Sequence, residues 1–124
     1  MRPVKAVFFV VVFVLLLNVA AFAADNPMGI SDLYRINFVE KVRVADTLLP
    51  SGNYEIRHVM EGSDHIMIFH QVGVRKPAEV RAKCTLVALP AKAADDQKIY
   101  ELNASSERVL HELIFKGDRA KHVF

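Results

Sequence analysis

The chain has 124 residues, 52% of them apolar, with 16 Lys and Arg against 14 Asp and Glu. Arg2 and Lys5 stand in front of an apolar run of the kind removed on export, and without them the basic and acidic side chains balance. A neutral remainder of about 100 residues has room for one core and not two. It lacks the basic stripe that nucleic-acid binding requires, and with Cys84 as its one cysteine it has no disulfide of its own.

Arg2 and Lys5, the uncharged stretch from Ala6 to Leu17 and the small residues of Ala21-Phe22-Ala23 form the n-region, h-region and cleavage site of a secretory signal. The run is too short to span a bilayer alone, which takes roughly 20 residues, and cleavage after Ala23 is expected. Only Asn18 interrupts the apolar stretch from Ala6 to Ala24, so the alternative is an uncleaved anchor that tethers the domain. Both readings export the remainder of the chain, to the periplasm or the exterior. The expected organisation is a helical signal segment over residues 1–23, a flexible lead-in over 24–33 and a single β domain over 34–124.

Within that domain the dominant period is two. Ile36, Phe38, Val42 and Val44 share one parity against Asn37, Lys41 and Arg43, as in a half-buried strand or strand pair. Pro50 and Gly52 stop that segment in a tight turn, and Tyr54, Ile56, His58 and Met60 resume the alternation. Glu61-Gly62-Ser63-Asp64 is a hairpin signal leading into His65–Val72, apolar on both faces and therefore expected at a central position. Val80, Ala82, Cys84, Leu86 and Ala88 alternate in the next strand. A polar loop over Pro90–Gln97, strands over Lys98–Asn103 and Val109–Phe115, and a turn at Lys116–Arg119 complete the chain before Ala120–Phe124. Seven to eight short strands without a helical period predict an all-β domain, an antiparallel sandwich or small barrel.

The segment Val44-Ala45-Asp46-Thr47-Leu48-Leu49-Pro50-Ser51-Gly52-Asn53-Tyr54-Glu55-Ile56, with its Leu-Pro-small-Gly-x-Tyr turn between strands, resembles small exported bacterial β proteins of uncharacterised function. The resemblance implies an exported domain of β hairpins. It brings no activity, substrate or catalytic residue.

His58, His65 and His70 lie on one expected hairpin, with Glu55 and Glu61 nearby, and are the candidate ligands for zinc or copper. With Gly62 and Ser63 at the turn centre, His58 and His65 become diagonal neighbours on one face, and His70 lies opposite Glu55 on the other. Of the three, only His58 and His65 can share an ion. His111-Glu112-Leu113-Ile114-Phe115 begins like a zinc-protease helix motif, but Phe115 replaces the second His and the pattern is that of a strand. Ser63-Asp64-His65 holds the residue types of a hydrolase triad as consecutive turn residues, which seldom converge. Cys84 has the parity of a buried, inert thiol. The basic residues Arg75, Lys76, Lys116, Arg119 and Lys121 suit solvated sheet edges, and Asn103-Ala104-Ser105 is a weak sequon. Eight membrane strands would not fit the chain length.

The expectation is an exported, non-enzymatic β domain that acts as a binding or structural module of the cell envelope, without a cofactor. Its partner would be an unknown protein or envelope component met by exposed strands or the turns at Pro50–Tyr54 and Glu61–His65. The alternative is a zinc- or copper-binding exported protein that uses His58 and His65.

Overall fold

Strands that alternate apolar and polar residues bury one face, and a chain made of them must fold that face onto itself. The computed structural model describes residues 29–124 and shows this outcome. Nine strands follow one another: β1 (Leu33–Phe38), β2 (Val42–Val44), β3 (Thr47–Leu49), β4 (Gly52–Glu61), β5 (Asp64–Gln71), β6 (Glu79–Ala88), β7 (Gln97–Leu102), β8 (Arg108–Ile114) and β9 (Ala120–Val123). They form one continuous sheet in the order β1-β4-β5-β6-β9-β8-β2-β3, with β7 paired to β8. The path does not close. No helix occurs among the described residues, and none there is long and apolar enough to cross a membrane. The expected signal segment and its cleavage site lie outside the described residues.

The all-β expectation is met, with three corrections. There are nine strands rather than seven or eight, because Thr47–Leu49, just ahead of the Pro50–Gly52 turn, form a strand of their own that pairs with β2 through Val42↔Leu49 and Val44↔Thr47. One contact is parallel, Arg43↔Val109 between β2 and β8, so the sheet is not wholly antiparallel. The open path departs from a closed barrel. Of the expected lead-in, Ile30 is buried in the core, and the Ser31 amide donates to the Tyr34 hydroxyl at 2.9 Å.

The hairpin β4–β5 has the register its turn dictates, with Glu61↔Asp64 flanking Gly62-Ser63 and His58↔Met67 further down. Strand β5 is central, between β4 and β6. Strand β6 is shared between two halves of the sheet. Its residues 79–84 pair with β5, and Thr85–Ala88 pair with β9. The sheet therefore turns about β6, and the inner faces of the halves enclose one core that includes Phe38, Val44, Leu49, Tyr54, Ile56, Met67, Phe69 and Leu113.

The Leu-Pro-small-Gly-x-Tyr segment has a physical basis. Tyr54 is fully buried, and its hydroxyl donates to the Pro50 carbonyl at 2.6 Å, which closes the turn onto the core. Gly52 has φ +145, and a Cβ there would come within 3.0 Å of the Gln71 amide nitrogen. That buried amide is in use: Gln71 Oε1 accepts the Ala78 amide at 3.1 Å and so joins β5 to the start of β6. At the far end Arg43 forms a two-point pair with Glu107, with both N···O distances 3.0 Å. Asn103 accepts the amides of Ser105 and Glu107, so the sequon is a structural turn.

Two substitutions test the role of this turn. Gly52→Ala combines a disfavoured φ with a contact on Gln71 and is expected to lower stability by about 1–3 kcal/mol. Tyr54→Phe, which removes only the hydroxyl bonded to Pro50, is expected to cost about 1 kcal/mol. Urea unfolding of the two variants beside the parent protein checks both values.

Candidate metal centre

Register places four chemically active side chains on the inner face. His58 on β4 faces Met67, His65 on β5 faces Cys84 on β6, and Leu86, two residues beyond Cys84, faces His122 on β9. In a flat sheet β4 and β9 would stand three strand spacings apart, roughly 14 Å. Here the rings of His58 and His122 meet edge to face with centroids 5.6 Å apart. The turn of the sheet about β6 produces this approach.

His58, Cys84 and His122 each offer one ligand atom, and these atoms lie within 4.8 Å of one another. Cys84 Sγ stands 3.8 Å from His122 Nδ1. Bonds of about 2.3 Å to sulfur and 2.0 Å to nitrogen put donor atoms roughly 3.5 Å apart around one ion, so small side-chain rotations would bring the three to coordination distance. His65 stands just outside this group, with Nδ1 3.1 Å from His58 Nε2 and the two rings stacked. The structure thus brings His58 and His65 together. It keeps His70 away, on the opposite face, 3.7 Å from Glu79.

The surroundings are apolar. His122 is fully buried edge to face against the stacked rings of Tyr34 and Phe115, each centroid 5.7 Å away, and its Nε2 has no hydrogen-bond partner among the described residues. Burial, reinforced by the neighbouring His58 and His65, holds its imidazole down at about 4. Burial and then His65 also lower His58, against an opposing pull from the exposed Asp32 carboxylate. Burial pushes the Cys84 thiol up to about 11. At neutral pH the group is therefore a thiol and two neutral imidazoles. An arriving cation would deprotonate the thiol.

The other sequence candidates are engaged elsewhere. Asp64 pairs with Lys83 at 3.1 Å and His65 with His58, so the nominal triad residues do not converge. His111 lies 3.8 Å from Glu101, and Glu112 holds Lys121 at 2.6 Å, both from strand β8. Sequence reasoning placed Cys84 in the core, where it is, but did not single out His122. The available signal was parity, since His122 alternates with Lys121 and Val123 beside the buried Ala120.

Without metal, His122 makes stability depend on pH. The unfolded chain protonates this imidazole near 6.5 and the folded one only near 4, so its contribution is complete above about pH 6.5 and is lost as pH falls toward 4. The full loss is about 3 kcal/mol. Urea unfolding of the metal-free protein across that range should show the decline, and His122→Leu should flatten it.

Comparison of the chain with described protein families, with curated proteins and with solved structures finds no match, so the site is read from its own chemistry.

Proposed function

We propose that this protein is a non-enzymatic binding module, exported to the cell envelope, whose ligand is one transition-metal ion of the zinc or copper class held by His58, Cys84 and His122. The observation that carries the proposal is the convergence of one ligand atom each from His58, the buried Cys84 and the fully buried His122 within 4.8 Å of one another. A buried polar group without a partner costs about 1–3 kcal/mol. A leucine at position 122 would fill the same core space without that cost. Position 122 carries the imidazole all the same, as a ligand role requires.

The sequence candidates His58 and His65 keep distinct roles in this proposal. His58 is a ligand, and His65 is the outer partner that fixes the orientation of the His58 ring, as hydrogen-bonded neighbours of metal-bound imidazoles commonly do. The turn about β6 and the single enclosed core support an open sandwich as the scaffold. The signal-like segment over residues 1–23 supports export.

Calorimetric titration of the purified, reduced protein with zinc and, anaerobically, with cuprous ion tests the proposal. Saturable uptake of one ion by at least one metal is expected, with release of about one proton from the Cys84 thiol and a rise in Tm. His58→Ala is expected to weaken binding by at least about tenfold. If neither metal binds saturably, the proposal fails.

A further inference from the structure

We infer that the ion this site is built for is monovalent copper, bound in a three-coordinate arrangement by the Cys84 thiolate and the imidazoles of His58 and His122. The inference rests on the metal-binding proposal above and narrows it to one ion and one geometry.

The number of donors is the first ground. Three ligand atoms lie mutually close, and His65 stands outside that group, in contact with His58. A structural zinc site closes with four protein donors, and a catalytic one keeps its fourth position open for water. Neither description fits here. The group has no fourth His, Cys, Asp or Glu among the described residues, and its two innermost residues are sealed from solvent, with Cys84 4% and His122 0% exposed.

Charge is the second ground. The group contains one acid, the Cys84 thiol, and no carboxylate. Asp32, which acts on His58 from outside, is exposed. Thiolate and cuprous ion together are neutral, whereas thiolate and zinc would leave a net positive charge in a wall of Tyr34 and Phe115 rings. The buried Asp118 carboxylate is taken up by the Tyr34 hydroxyl and is not a member of the group, and a net charge buried without a directly paired counter-ion is costly, which favours the monovalent ion.

Softness is the third. Thiolate and imidazole donors suit cuprous copper and zinc and disfavour the harder ions that take carboxylates and carbonyls. The side chain that faces His58 across the β4–β5 pair is the fully buried Met67, a thioether on the same inner face. Thioethers are a further soft donor type. Binding requires no redox step: the thiol releases one proton as the copper–sulfur bond forms, and copper stays monovalent throughout.

The test is a direct competition. The purified, reduced protein is titrated anaerobically with Cu(I) against the coloured Cu(I) chelator bicinchoninate, and separately with Zn(II) against a coloured zinc chelator. One Cu(I) per chain should be withdrawn from bicinchoninate, with an affinity at least about tenfold above that for zinc. Cys84→Ser and His58→Gln should each abolish the withdrawal. His58 is only partly buried, so its variant keeps the test decisive if Cys84→Ser fails to fold. Zinc binding equal to or tighter than copper binding overturns the copper assignment and leaves the metal-binding proposal standing. Binding of neither ion ends both. Copper binding unchanged in His58→Gln places the ion elsewhere and overturns the inference.

Discussion

Strand β6 is the constraint on which the rest of the molecule depends. One half of it belongs to the ladder with β5 and the other half to the ladder with β9, and the change of partner falls between Cys84 and Thr85. Two sheets meeting on a shared strand must bend there, because each ladder carries its own twist. The bend folds the inner face of β4 toward that of β9. It creates the core, and at the same place it brings His58, Cys84 and His122 together.

The remainder of the fold holds this bend in place. Tyr34 on the edge strand β1 stacks on Phe115 at 3.8 Å and donates its hydroxyl to the buried Asp118 carboxylate at 2.7 Å, tying one end of the sheet path to the turn before β9. Asp118 is raised by burial, while the bond from Tyr34 opposes that rise. Gln71 and Gly52 lock the approach of β4 and β5 to β6, and the Arg43–Glu107 pair fastens the β2–β3 hairpin to β8. These long-range ties are polar and specific. They set where the apolar faces meet.

Much of the local structure could be read in the sequence, because it depends on neighbours along the chain. The Gly62-Ser63 turn fixed the β4–β5 register and with it the shared face of His58 and His65. Parity alone placed Cys84 inside. The short strands β2 and β3 were harder, since three residues carry too little alternation to separate Leu48-Leu49 from the turn at Pro50. The parallel contact of Arg43 with Val109 and the meeting of His58 with His122 join residues 66 and 64 positions apart. No local pattern encodes such distances, so only half of the site, the His58–His65 pair, was legible, and its thiol and innermost imidazole were not read as ligands.

A buried thiol beside two neutral imidazoles is a cluster without charge, and this explains how so polar a group can sit among Tyr34, Phe115 and Met67. X-ray absorption spectroscopy of the copper-loaded protein tests the central claim most directly. The expected first shell is one sulfur at roughly 2.3 Å and two imidazole nitrogens at roughly 2.0 Å. A shell with no sulfur, or one built of oxygen donors, would contradict it.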